Sequence, residues 1–223
     1  MSNKSILAIL VFGVLHLQTY AQEYFYPEQG KGPLVVVLSG ASGPDRYQDL
    51  GNSISRLGYS VLLIDGKDVP PNAGFASSNL KRYIIEAQTN KKVKSGNVVV
   101  IGLSLGGGGA LVTAVQGDNS IVGVIAMYPA ISKISRLTVA SKLQVPTMIF
   151  VGGQDTFYNC CLVEYANEYV SSAKNVGKKV DLVVYPNAGH GFNLKLTPGY
   201  REEESNDSFN KIQKFLQNTL PIE

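Results

Sequence analysis

Three residue types in this chain could together perform acyl transfer: a serine on a glycine-framed turn, a histidine on a glycine-flanked loop, and an aspartate at a strand end. Gly102-Leu103-Ser104-Leu105-Gly106 matches G-x-S-x-G. A run of β-branched residues leads into it and a glycine-rich helical start leads out, the setting of a nucleophile elbow, in which a sharp strand-to-helix turn presents the serine hydroxyl. A dinucleotide-binding turn is the competing reading of such glycines. It fails because residues 102, 106, 107, 108 and 109 do not give G-x-G-x-x-G, and the following strand carries no acidic residue. The phosphate-binding P-loop fails too, since no lysine follows. An inert packing turn is the remaining alternative.

A serine nucleophile needs a base near neutral pH, and imidazole is the usual one. The chain has two histidines, His16 and His190. His16 falls in a stretch with the marks of an export signal, so His190, in Asn187-Ala188-Gly189-His190-Gly191-Phe192, is the candidate base. Asp155 ends Phe150-Val151-Gly152-Gly153-Gln154-Asp155 and completes the chain order Ser, Asp, His. There a carboxylate would orient the imidazole and stabilise its cation. Asp65 precedes the serine and Asp181 lies within a strand, so neither suits the order. An oxyanion hole needs two N–H donors. Leu105 N–H is one candidate. Ala41 N–H, from the loop after the first strand, is the other, with Gly40 as its alternative. Tyr47, Phe157 and Phe192 are the candidate substrate-binding aromatics, with Phe75, Tyr128 and Tyr158 also placed on loops near the strand ends.

These residues need a scaffold, and the hydrophobic pattern describes one. Residues 33–39, 60–65, 97–103, 121–128, 145–151 and 179–185 are short apolar runs, as expected of strands buried on both faces. Helical spacing appears between them, at Tyr47, Leu50, Ile54 and Leu57, at Leu80, Tyr83, Ile84 and Ala87, from 107 to 116, and at Leu162, Tyr165, Ala166, Tyr169 and Val170. A last amphipathic helix carries Phe209, Ile212, Phe215, Leu216 and Leu220. The alternation predicts an α/β fold, three layers around a mostly parallel sheet of about six strands, with no large lid domain. Segments 66–74, 129–144 and 187–200 read as irregular, and each begins at a strand's carboxyl end, where open α/β sheets gather their ligands.

Residues 1–21 read as a signal peptide: Lys4, an apolar core over 6–17, and small residues before position 22. No cysteine follows the core, which argues against a lipid anchor. The expectation is an exported protein, secreted or periplasmic, whose residues 22–223 form one domain. The whole chain carries 20 basic and 17 acidic side chains, net +3; without Lys4 the balance is +2. So mild a charge, with no basic run, points to no nucleic-acid partner. Neither stable membrane insertion nor a metal site is expected. The only cysteines, Cys160 and Cys161, are adjacent and are expected as free thiols, with pairing between chains or a vicinal bridge as alternatives. Asn206-Asp207-Ser208 is a glycosylation sequon.

On Gly102 to Ala110 (GLSLGGGGA), Val145 to Asp155 (VPTMIFVGGQD) and Tyr185 to Phe192 (YPNAGHGF), the chain resembles the dienelactone-hydrolase-like branch of the α/β-hydrolases, from about residue 33 to 216. The glycine run also resembles that of small cutinases and polyester-degrading esterases. The resemblance implies a compact enzyme without a cofactor, acting on a small-molecule or polymer ester. Dienelactone hydrolases proper carry a cysteine nucleophile, whereas this elbow holds Ser104, which favours ordinary ester hydrolysis. The first two strands of the full family fold are expected to be missing or reduced. An acyltransferase or peptidase using the same three residues, and a non-catalytic binding protein on this fold, are the other readings.

Overall fold

The computed structural model describes residues 22–114, 120–132 and 136–222. The export signal expected over residues 1–21 lies outside the described residues, as does the end of the helix expected to reach residue 116.

Among the described residues, seven strands form one sheet: β1 (Glu23–Phe25), β2 (Gly32–Leu38), β3 (Ser60–Ile64), β4 (Val93–Leu103), β5 (Ile121–Met127), β6 (Thr147–Gly152) and β7 (Val180–Tyr185). Their spatial order is β1-β3-β2-β4-β5-β6-β7. All neighbouring pairs are parallel except β1 with β3. The strand absent from the sequence reading is β1. It is three half-buried residues long and carries no apolar run that would announce it.

Period-two alternation sends each strand's residues to two cores. Val36, Leu62, Val100, Val124 and Ile149 face one side, where α2 (Ala76–Gln88) contributes Leu80 and Ile84, and α5 (Val163–Asn175) contributes Tyr169 and Val170. Val37, Val61, Ile101, Ile125 and Phe150 face the other, covered by Ile54 of α1 (Gln48–Arg56) and by Ile212 and Leu216 of α6 (Glu202–Thr219). The central strands are buried on both faces, which is why they read as continuous apolar runs. Within the segment expected to be irregular over 129–144, a short helix, α4 (Arg136–Ser141), forms. No helix among the described residues is long and apolar enough to cross a membrane. Asn206 of the sequon sits exposed on α6.

The sheet reverses its order between β2 and β4. The chain leaves β2 for β3 on one side, then crosses to β4 on the other. That switch point opens a crevice at the strands' carboxyl ends. The turn after β4, which carries Ser104, and loop 39–43 after β2 meet there.

Two glycines let this meeting happen. A side chain on Gly102 would place its Cβ 2.2 Å from the Gly106 carbonyl oxygen. One on Gly106 would meet the carbonyl oxygens of Leu38 and Ser39 at 2.4 and 2.5 Å. The spacing of G-x-S-x-G is therefore a packing requirement of the turn against itself and against β2. Gly106→Ala is expected to cost about 1–3 kcal/mol in denaturant unfolding, as overpacking does. Activity should fall with it, because the opposing atoms are backbone and only the turn can move. An unfolding midpoint equal to that of the parent protein would contradict this account.

Candidate active site

Ser104 stands between β4 and the short helix α3 (Leu105–Gly109), which continues through one π-type turn over Ala110–Ala114. Its backbone is in the left-handed region, with φ 53° and ψ −113°, a conformation that a non-glycine residue keeps only when its surroundings over-determine it. They do. Ser104 N–H donates to the Met127 carbonyl (3.0 Å), and its carbonyl accepts from Gly108 N–H (3.0 Å) and Ala130 N–H (2.8 Å). Gly106 N–H donates to the Ser39 carbonyl (3.1 Å). Ser39 Oγ accepts from Gly66 N–H (3.1 Å), tying the ends of β2 and β3 to the same turn.

The structure brings together the three residues singled out in the sequence, which lie on three separate loops. His190 Nε2 is 2.9 Å from Ser104 Oγ, and His190 Nδ1 is 2.8 Å from Asp155 Oδ2. The Asp155 side chain is fully buried, while that of His190 keeps 16% exposure. The other Asp155 oxygen, Oδ1, accepts from Phe157 N–H (3.0 Å). An ionised carboxylate only accepts, so the bond to Asp155 places a hydrogen on Nδ1. That leaves Nε2 as the acceptor for the serine hydroxyl.

The imidazole is held on its faces as well. Phe157 stacks on it at 4.3 Å and 8° between planes, and Tyr128 meets it edge-on at 4.8 Å. Tyr128 is buried, donates its hydroxyl to Asn193 Oδ1 (2.7 Å), and has its phenol pKa pushed well above the ordinary value, chiefly by that burial.

A cavity of about 430 Å³ opens over Ser104 and His190. Ala41, Ser42, Arg46 and Tyr47 line one side. Tyr128 and Phe157 line another, and Gly191, Leu194 and residues 197–199 complete the wall. The expected aromatics thus divide. Tyr47 and Phe157 face the cavity. Tyr47 is buried against loop 39–43, its hydroxyl bonded to Ser42 and to the Gly40 backbone, and burial raises its pKa.

Phe192 is a correction. It is fully buried and lies beneath the cavity, edge-on to Tyr128 at 5.6 Å and to Tyr185 at 5.1 Å, so it packs the support and does not line the wall. A loop residue's direction follows no period, and burying an aromatic ring outweighs placing it at the mouth. Phe75 and Tyr158 are exposed and do not line the cavity. The sequence reading missed Arg46 and the wall formed by Leu194 and 197–199. The latter lies in a segment whose strand-end position pointed to function, but no residue type there stood out.

Ala41 lies on the cavity wall and Leu105 begins α3, so its N–H belongs to the first turn, whose donors have no intrahelical partner. Gly40 is squeezed between Tyr47 and Ser104: a Cβ there would meet the Tyr47 hydroxyl at 2.3 Å and Ser104 Cβ at 3.3 Å.

The expectation of free thiols is overturned. Cys160 and Cys161 form a vicinal disulfide, because a tight turn after β6 buries Cys161 beside its neighbour's sulfur. Asp155, Cys161 and His190 place potential ligand atoms within 4.8 Å of one another. A disulfide sulfur is not a thiolate, however, and Asp155 and His190 are already bonded to each other, so the set does not suit a metal.

The family model described as the dienelactone hydrolase family matches residues 72–220, more than half of the chain. A Methylorubrum extorquens protein provisionally named a carboxymethylenebutenolidase is 25% identical over 183 residues, covering 79% of this chain and 62% of that protein. A Salmonella typhimurium protein of the same provisional name is 35% identical over 78 residues, which cover 35% of this chain and 28% of that one. The chain therefore spans less than two thirds of these curated relatives. Among solved structures, a provisionally named dienelactone hydrolase from Klebsiella pneumoniae superposes with a TM-score of 0.76 at 17% identity, covering 86% of this chain and 90% of that one. Est1E from Butyrivibrio proteoclasticus gives a TM-score of 0.71 at 14% identity, covering 90% and 94%. At such identities the structural likeness speaks for the fold.

Proposed function

Since the chain belongs to the dienelactone hydrolase family of the α/β-hydrolase superfamily, we propose that it is a serine hydrolase that cleaves carboxylic esters through an acyl-enzyme. The observation that carries this reading is the unbroken line Ser104 Oγ to His190 Nε2 to His190 Nδ1 to Asp155 Oδ2, at 2.9 and 2.8 Å, opening on a cavity at the sheet's switch point.

His190 Nε2 takes the Ser104 proton as Oγ attacks the ester carbonyl. Asp155 holds the imidazole in the tautomer this needs and stabilises the cation that forms. Leu105 N–H and Ala41 N–H receive the oxyanion. The imidazolium then protonates the leaving alcohol, and a water activated by the same nitrogen releases the acid. Tyr47 and Phe157 contact the substrate, while Phe192 acts from below through Tyr128. The cavity's size and largely apolar wall suit a small or medium ester, with lactones as its cyclic form. We further propose that residues 1–21 direct export.

The expected outcome with a fluorophosphonate probe is one covalent adduct per chain, carried on the peptide containing Ser104 and prevented by prior heat denaturation. Mass spectrometry of the digest reads the site. A chain that turns over p-nitrophenyl esters but labels elsewhere, or not at all, would rule the assignment out.

A further inference from the structure

The Cys160–Cys161 disulfide has no part in the reaction described above, yet it lies beside the centre of it. Cys161 is buried. Its Sγ, a carboxylate oxygen of Asp155 and a ring nitrogen of His190 all lie within 4.8 Å of one another. The turn that leads directly into the disulfide supplies Phe157, which stacks on His190 and donates its N–H to Asp155. The Cys160 carbonyl accepts from Ile131 N–H (3.0 Å) and Ser132 N–H (3.1 Å), adjacent to Ala130, whose N–H holds the Ser104 carbonyl. Between Phe157 and Cys160, Tyr158 and Asn159 both have positive φ, 45° and 51°. Asparagine tolerates that region, but a tyrosine stays there only under constraint.

We propose that this disulfide is a positioning element of the active site, which keeps Asp155 and His190 in working register only while it is oxidised. The inference rests on the triad reading above. Reduction by a dithiol transfers two electrons and two protons to the pair: the S–S bond breaks, each cysteine becomes a thiol, and the reductant leaves as its cyclic disulfide.

Two consequences follow for the site. A disulfide sulfur carries no hydrogen, so Cys161 cannot compete for the Asp155 carboxylate, whereas a thiol is a donor and can. Opening the ring also frees the Cys160–Cys161 backbone, which ends the turn carrying Phe157 and whose Cys160 carbonyl accepts from Ile131 and Ser132. A carboxylate that shares its charge with a thiol stabilises the imidazolium less, which weakens the base. The other titratable or charged groups facing His190 are Tyr128 and, around the cavity, Tyr47 and Arg46. None of them reacts with a dithiol, so their covalent state is the same in the oxidised and reduced protein.

The test uses the full chain and p-nitrophenyl acetate, before and after dithiothreitol, with thiols counted by alkylation and mass spectrometry. The oxidised protein should show no alkylatable thiol and the reduced one two. Reduction should lower kcat about 10-fold or more, the scale of a small displacement in a catalytic group. KM and the far-UV circular dichroism should change little, and the acid limb of kcat/KM should move to lower pH. Reoxidation should restore the rate. The double variant Cys160→Ser, Cys161→Ser should have the lower rate and no response to the reductant.

Full activity and an unmoved pH profile in fully reduced protein would overturn the proposal. So would a rate that falls only in proportion to lost ellipticity, since that is a loss of folded protein. Activity remaining in Ser104→Ala would instead sink the triad reading. Activity lost in that variant, alongside indifference to reductant, would sink this inference alone.

Discussion

Ser104→Ala is expected to lower kcat for p-nitrophenyl acetate by about 10⁴–10⁶-fold, the scale on which serine hydrolases depend on their nucleophile, with the fold retained. Geometry gives the reason. The Ser104 hydroxyl pairs with His190 Nε2, while its backbone N–H and carbonyl are held by Met127, Gly108 and Ala130. Alanine keeps all three backbone bonds. Nε2 turns to the cavity, where the partly exposed imidazole meets water, so no buried acceptor is orphaned and the stability change should stay within about 1 kcal/mol. Residual activity after exhaustive purification measures what the oxyanion donors and cavity accomplish alone. A variant that keeps a tenth of the parent rate would show that Ser104 is not the nucleophile.

Asp155→Asn is the second large effect, with kcat expected to fall by about 10³–10⁴-fold. Here the loss comes through a hydrogen. Phe157 N–H donates to one Asp155 oxygen and His190 Nδ1 to the other. In the variant, the amide oxygen is claimed by Phe157 N–H, so the amide NH₂ faces Nδ1. Two donors cannot meet there, and the imidazole must carry its hydrogen on Nε2. That tautomer points a donor at Ser104 and cannot take its proton. KM should move little, since Asp155 does not line the cavity. Nitrogen chemical shifts of His190 would report the tautomer directly. An Asp155→Asn protein with the parent's Nδ1–H tautomer and a slow rate would refute this explanation, and one with the parent's rate would remove Asp155 from the mechanism.

Much of the scaffold was legible because it is periodic. Strands such as β2 and β5 are buried on both faces and announce themselves as unbroken apolar runs, and α6 shows one apolar stripe. β1 was not legible, since three half-buried residues carry no pattern. Nor was α4, whose six residues sit in a stretch with no apolar period. Ser104 could be singled out because its constraint is local: the glycines at 102 and 106 answer to atoms of their own turn and of the adjoining strand. His190 could be singled out by elimination, and Asp155 by chain order and its place at a strand end.

By itself, then, the sequence determined which residues have the chemistry for acyl transfer and which alternating elements carry them, because residue type, count and period are properties of the chain alone. The tertiary structure decided everything that depends on where distant loops meet. It sent Phe192 into the core while Phe157 took the face of the imidazole. It brought Arg46 and residues 197–199 to the same cavity wall, and it closed Cys160 and Cys161 into a bridge beside Asp155 and His190. Loops follow no period, and the direction of each side chain there is set by packing against neighbours that lie far away in the chain.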